Sequence, residues 1–217
     1  EAVAYHTLAH SILRRASIPV AIAPVMQSQL KGLYTRARGA TESTEFSLTR
    51  FLVPALSGYR GWSLFMDCDM LCRADLAELF ESAGRAGDKA LLVCKHDYVP
   101  NPNRKFLDQV QTIYPRKNWS SVMLLNNERC RTLTPDYVNT ASPQQLHRFA
   151  WTDDALVGEL PIVWNWLVGE YAYNAAAKIV HFTRGGPYFD EYRNCDYAEE
   201  WFEENRHMNY AANPVSA

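Results

Sequence analysis

The sequence predicts an α/β fold with a mostly parallel sheet flanked by helices. Three observations carry that expectation. First, Trp62–Met66, Ala90–Cys94 and Val122–Leu125 are short apolar runs with the continuity of strands buried on both faces. Second, segments with apolar residues at helical spacing alternate with these runs. Third, 217 residues with 47% apolar and 21% charged side chains can bury one sizeable core, so a single domain is expected.

Taken in order, residues 2–16 place Val3, Leu8, Ile12, Leu13 and Ala16 at helical spacing, and the helix should end before Pro19. Val20–Ala23 reads as a strand. A helix-first opening is unusual for an α/β protein, and the first strand of the sheet is expected to be missing from this chain, as in an N-terminally truncated form. Residues 31–44 read as a polar loop. Thr44 is placed to cap a helix over Glu45–Leu56, with Phe46, Leu48, Phe51, Leu52 and Leu56 on its apolar side. The Trp62–Met66 strand follows Gly58 and Gly61. Asp75 should start the next helix, with Leu76, Leu79 and Phe80 on one face and Gly84 and Gly87 at its end. The stretch 97–118 is rich in proline and asparagine and reads as loop. Residues 128–150 suggest short helices broken by Pro135 and Pro143. A short apolar stretch runs from Pro161 to Val163, a short strand covers Lys178–Phe182, and a final amphipathic helix covers Ala198–Met208.

Charge excludes some functions. A formal net charge of −2 without a long basic run disfavours nucleic-acid or anionic-membrane binding through bulk charge. No apolar stretch is long enough to span a bilayer, and no signal peptide pattern opens the chain. The cysteines, Cys68, Cys72, Cys94, Cys130 and Cys195, are odd in number and form no Cys-x-x-Cys pair, so a reduced, cytoplasmic setting is expected.

The first strand candidate ends abruptly in Asp67-Cys68-Asp69. Residues two apart in an extended chain point the same way, so the two carboxylates can converge while Cys68 faces away. Two hard oxygen ligands at the carboxyl end of a strand suit a divalent cation. The stretch alone also fits a polar turn with two solvated aspartates. His181 ends the Lys178–Phe182 strand and precedes Thr183-Arg184-Gly185-Gly186, where glycines allow backbone amides close to a phosphate. A histidine beside two carboxylates shifts metal preference from magnesium toward manganese. Arg50 precedes the aspartate strand on a predicted helix. Asp153-Asp154 can cap a helix start or supply a catalytic carboxylate. Asn118–Ser121 is a polar loop, expected at the same sheet edge if the strand after it is parallel.

Together these residues resemble glycosyltransferase family 8, the glycogenin-like group. The resemblance rests on Phe65-Met66-Asp67-Cys68-Asp69-Met70-Leu71, then Asp75-Leu76-x-x-Leu79-Phe80. It continues through Ser120-Ser121-Val122-Met123-Leu124-Leu125-Asn126, Asp153-Asp154-Ala155-Leu156 and Ile179-Val180-His181-Phe182-Thr183, all in the family's order over about residues 45–190. It implies a GT-A, Rossmann-like fold. The half up to about residue 95 would serve nucleotide sugar and metal, and residues 96–217 the acceptor side, with acceptor contacts in 97–118 and 131–150. It implies Mn2+, with Mg2+ as the alternative, on Asp67, Asp69 and His181, and a UDP-sugar as donor. Arg50, Asp67, Cys68, Asp69, Arg184, Gly185 and Gly186 would contact that donor. Asp153 and Asp154 would stand at the transferred sugar, and transfer would retain anomeric configuration. The acceptor would be a glycan or lipid-linked glycan, as in polysaccharide assembly, at a cytoplasmic location or the inner face of a membrane.

The sequence departs from the family pattern at three places. Asp154 stands where the family has Gln, Trp119 at or near its Asn, and Gly186-Pro187-Tyr188 where it has Lys-Pro-Trp. Arg184 is the residue present to replace the lost lysine's charge. These departures keep a second function open, a catalytically impaired relative that binds a nucleotide sugar or glycan. A phosphoryl-transfer enzyme using Asp-x-Asp is disfavoured, because Met70-Leu71-Cys72 supplies no Thr or Gly after the pair. A nucleotidyltransferase is a further alternative of similar architecture.

Overall fold

The structure is a computed structural model that describes residues 2–37, 47–97 and 115–209. The elements are α1 (Ala2–Arg15), α2 (Val53–Leu56), β1 (Trp62–Met66), β2 (Met70–Cys72), α3 (Leu76–Gly84), β3 (Leu91–Val93), β4 (Val122–Asn126), α4 (Pro135–Thr140), α5 (Pro143–His147), β5 (Val157–Glu159), β6 (Trp166–Leu167), β7 (Ile179–His181) and α6 (Ala198–Met208), with several single 3-10 turns between them. The α/β class read from the sequence is the class observed.

Among the described residues two sheets form, β1-β4-β3-β5 and β2-β7-β6. In the first, β4 runs antiparallel to both of its neighbours, and β3 pairs parallel with β5. So β1, β3 and β5 share one direction and β4 is inserted against them. The expectation of a mostly parallel sheet holds for strand direction, while the hydrogen-bonded pairings are mixed. In the second sheet β2 is antiparallel and β6 parallel to β7.

Alternation along the strands shows why they read as unbroken apolar runs. Leu91, Val93, Met123 and Leu125 face one core with Phe51, Leu52, Phe149 and Trp151. Leu92, Val122 and Leu124 face the other, with Leu8, Ile12, Leu76, Leu79 and Ile179. A sheet covered on both faces needs apolar residues at both parities. A third cluster, Leu71, Val180, Phe182, Tyr197 and Trp201, lies on the outer face of the second sheet.

Several expected elements change on inspection. Val20–Ala23 forms no strand; Val20 and Ile22 pack against the core between the two prolines Pro19 and Pro24, in a segment without ladder pairing. In α1 the packed face is Ala4, Leu8 and Ile12 with the small polar residues Thr7 and Ser11, and Val3 and Leu13 turn outward. Ser11 Oγ accepts from the Cys72 backbone N–H at 3.1 Å, which seats the helix on β2. The helix expected over Glu45–Leu56 is a 3-10 turn, Thr49–Leu52, followed by α2, because Pro54 cannot donate to the carbonyl four residues back. Leu48, Phe51 and Leu52 are buried as expected, Leu56 is exposed, and Thr44 and Phe46 lie outside the described residues. Pro135 and Pro143 open helices rather than break them, in first-turn positions where a missing N–H costs nothing. Asp75 caps α3, accepting from the Ala77 N–H at 2.9 Å.

The chain's two outer helices are joined through Glu204, 2% exposed. Its carboxylate meets His10 at 2.5 Å, Arg15 at 2.7 Å and Arg14 at 3.7 Å. Burial alone would raise its pKa, but the hydrogen bond and charge of Arg15, with His10 and Arg14, outweigh it and hold the carboxyl below its ordinary 4.5. Such a group stabilises the fold above its unfolded pKa and loses that contribution as pH falls through the lower folded value. Glu204→Gln is therefore expected to cost on the order of 2–4 kcal/mol at pH 7. The gap to the parent should narrow as the medium is acidified below pH 4.5. Urea denaturation of both proteins at neutral and acid pH checks this; a gap independent of pH would exclude the carboxylate as its source.

Candidate metal and nucleotide-sugar site

β1 belongs to the first sheet and β2 to the second, so Asp67-Cys68-Asp69 is the three-residue crossing between them. Backbone bonds pin both ends of the crossing. The Asp67 N–H donates to Ser121 O at 3.0 Å, and the Phe182 N–H donates to Asp69 O at 2.9 Å. The register Met70↔His181 then brings the histidine beside the acids. A ligand atom from each of Asp67, Asp69 and His181 lies within 4.8 Å of the others, and His181 Nε2 is 3.4 Å from Asp69 Oδ1. His181 is buried, and both acids are half-buried. The donor set, two carboxylates and an imidazole converging from two sheets, fits a divalent cation.

The Asn118–Ser121 loop does reach this edge, though for a reason opposite to the one expected. β4 is antiparallel to β1, so its beginning lies beside the end of β1; a parallel strand would have put the loop at the other edge.

Arg50 stands at the crossing as well. Its guanidinium meets Asp67 in a fork, Nη2 to Oδ1 at 2.8 Å and Nη1 to Oδ2 at 3.2 Å. Nη1 also donates to Ser120 O at 2.9 Å, and Nε donates to Ser47 O at 2.7 Å. Burial pushes the Asp67 carboxyl up; Arg50 opposes that, while the Asp69 charge adds to it. His147 and His96 flank the site. Burial above all, aided at His147 by the charge of Arg50, holds each at about 3, so both are neutral near pH 7. His147 Nδ1 lies 2.8 Å from Ser120 Oγ, and His96 Nδ1 lies 2.9 Å from the Tyr171 hydroxyl.

The remaining sequence candidates hold other partners. Asp153 and Asp154 open the turn that leads into β5, which runs parallel to β3, and both are exposed. Asp153 caps its own turn, accepting from the Ala155 N–H at 2.8 Å. Asp154 pairs with Arg116 at 2.6 Å, which lowers its pKa. Arg184 Nε donates to Glu170 Oε1 at 3.1 Å, and the Glu170 side chain is 8% exposed. A Cβ at Gly185 would meet the Tyr192 ring, and one at Gly186 the Tyr188 ring, so these glycines make room for aromatic packing. Gly185 also has φ +133°, a conformation that favours glycine. Cys68 is half-buried, and the five cysteines form no disulfide with one another.

Comparison with known proteins places this geometry. No family model matches the chain. It is 47% identical over 219 residues to Protein CDI of Arabidopsis thaliana, a match spanning 96% of this chain and 83% of the relative. The chain belongs to the Protein CDI family. Solved structures with the same fold are glycosyltransferases of GT-A type. The bifunctional WbbM has a TM-score of 0.62 at 16% identity, over 94% of this chain and 47% of that one, so this chain spans about half of it. The galactosyltransferase LgtC, solved with donor and acceptor sugar analogs, has a TM-score of 0.59 at 14% identity, over 98% of this chain and 94% of that one. GlyE of Streptococcus pneumoniae TIGR4 has a TM-score of 0.55 at 14% identity, over 94% of this chain and 58% of that one.

In this Protein CDI family member, sequence reasoning missed Asn165. It is fully buried between Trp164 and Trp166 and bonded to His181, Ser121 and Asn118. The signal was a polar residue closing the short apolar stretch after Pro161. Ser120 and His147, which contact each other behind Arg50, carried no signal at all.

The Arg50–Asp67 fork makes the two residues a coupled unit. Arg50→Met is expected to destabilise by about 2–4 kcal/mol, because it strands a half-buried carboxylate. Arg50→Met combined with Asp67→Asn should cost less than the sum of the single changes. Denaturant midpoints for the four proteins measure the coupling, and strict additivity would contradict it.

Proposed function

We propose that this protein is a metal-dependent glycosyltransferase of the glycogenin-like family 8 kind. It moves a sugar from a nucleotide diphosphate donor, UDP-sugar in first place, to a glycan or lipid-linked glycan with retention of configuration. The observation that carries this reading is the convergence of Asp67, Asp69 and His181 at the crossing between the two sheets, in a fold shared with glycosyltransferases. In the reaction, the bond from the anomeric carbon to the diphosphate oxygen breaks. A bond from the same carbon to an acceptor hydroxyl oxygen forms, and the hydroxyl proton leaves with the diphosphate.

Asp67, Asp69 and His181 Nε2 would hold Mn2+, or Mg2+ in its place. When bound, the cation supplies Lewis-acid neutralisation of the departing diphosphate. Arg50 favours the ionised form of Asp67 against the burial that raises its pKa, and its fork aims the carboxylate at the site. That geometry supports a holding role for Arg50 more directly than the phosphate contact the family resemblance implies. Cys68, Arg184, Gly185 and Gly186 remain the proposed donor contacts, and Asp153 and Asp154 the proposed carboxylates at the transferred sugar.

Specific contacts favour a second reading, a nucleotide-sugar or glycan-binding relative with little turnover. The Asp154 carboxylate is neutralised by Arg116, the Arg184 Nε is taken by Glu170, and Gly185 and Gly186 are packed against tyrosines.

Incubation with a panel of nucleotide sugars and Mn2+ separates the two. The first reading expects donor hydrolysis or transfer that EDTA abolishes and that Asp69→Ala reduces at least about 100-fold, the loss of several kcal/mol of charge stabilisation. Calorimetric binding of a nucleotide diphosphate without turnover of any donor would establish the second. Neither binding nor turnover would reject both.

A further inference from the structure

Asn165 is fully buried at the end of the turn Ile162–Asn165, directly behind the candidate metal site. Three polar atoms surround its amide. Nδ2 lies 2.9 Å from Ser121 Oγ and 3.2 Å from Asn118 O, and Oδ1 lies 3.0 Å from His181 Nδ1.

The chemistry of these neighbours fixes the direction of every proton in the chain. Asn118 O is a backbone carbonyl and can only accept. Ser121 has one hydroxyl proton, and it donates that proton to the same carbonyl at 2.7 Å. Ser121 Oγ must therefore accept from Asn165. Both neighbours on that side demand the NH2 end of the amide, which decides an orientation that side-chain shape alone does not. Oδ1 is then turned to His181, where it can only accept. Nδ1 must carry the proton, and in the neutral ring Nε2 is left with its lone pair.

We propose that Asn165 is a positioning residue that fixes His181 in the Nδ1–H tautomer and so presents Nε2 as a ready ligand. The device opposes a real alternative. Asp69 Oδ1, 3.4 Å from Nε2, would draw the proton to that nitrogen if nothing held it on the other. An Nε2–H ring cannot ligate through Nε2, and a metal-binding histidine is oriented by the partner of its second nitrogen. Here the partner is a neutral amide, and its own direction traces back to one backbone carbonyl, Asn118 O. Asn118 holds a left-handed conformation, φ 63°, that aims this carbonyl at both Ser121 and Asn165.

The metal-binding half of this inference rests on the site reading above; the tautomer does not. The test is long-range 1H–15N NMR on the metal-free full chain with 15N-labelled histidine. The His181 signals are assigned by their loss in His181→Gln, at pH 8.5, above the ordinary imidazole range of about 6.5. The expected pattern is a protonated Nδ1 and a pyridine-like Nε2. Asn165→Ala should move the proton to Nε2 and weaken Mn2+ binding, followed by electron paramagnetic resonance, about 10–100-fold. A parent protein with Nε2–H, a tautomer mixture or a doubly protonated ring overturns the proposal, even if Asn165→Ala fails to fold. So does a folded Asn165→Ala with unchanged tautomer. An Nδ1–H ring in a protein that binds no Mn2+ supports the Asn165 assignment and rejects the metal reading instead.

Discussion

The architecture depends on a chain crossing. β1 ends at Met66 in one sheet and β2 begins at Met70 in the other, leaving three residues to pass between them. A crossing this short cannot satisfy its backbone groups by itself, and a buried amide or carbonyl without a partner is costly. It borrows partners from the ends of both sheets, Ser121 O just before β4 and the Phe182 N–H just after β7. Those two bonds draw three chain segments, distant in sequence, to one point. The side chains gathered there are the ones with metal-ligating chemistry. The site is thus a consequence of how the sheets are joined rather than a set of groups added to a finished fold.

Electrostatics at that point are balanced unevenly. Asp67 is matched by Arg50 in a two-point fork, which suits a half-buried carboxylate. Asp69 faces His181 only at 3.4 Å. The two other imidazoles nearby, His96 and His147, are held neutral chiefly by burial. Among the described residues the local surplus is therefore negative, with oxygen and nitrogen ligands already converged, the condition under which a divalent cation is attracted rather than merely tolerated.

The sequence made the acids and the histidine legible because each sits at the end of a short apolar run. A carboxylate or imidazole that interrupts such a run must be at a strand terminus or paired. Periodicity also placed α1, α3 and α6, since their buried faces are continuous. It misjudged α1's face, where Thr7 and Ser11 pack inward because hydroxyls can bond the helix's own carbonyls or the β2 backbone. It misread Val20–Ala23, because an extended apolar segment announces burial but not a ladder partner. Asn165 and the Asn118 carbonyl were out of reach for a different reason. Their role lies in who their neighbours are across the fold, and a polar residue closing an apolar stretch marks Asn165 as a buried polar group without naming its partners.

The glycines after His181 sharpen what the crossing can do. A pair of glycines after a strand suggests a cradle for phosphate oxygens, but here the space that a Cβ would fill is taken by the rings of Tyr192 and Tyr188. The neighbouring guanidinium of Arg184 spends its Nε on the buried Glu170. On the proposed function, then, a diphosphate arriving at this edge finds few uncommitted positive groups from the late segment, and Arg50 is already turned to Asp67. Its attraction must come chiefly through the cation held by Asp67, Asp69 and His181. An anion recognised mainly through a cation binds only as well as the cation's ligands are organised, which makes the hydrogen-bonded support behind His181 as important to donor binding as any group that touches the donor.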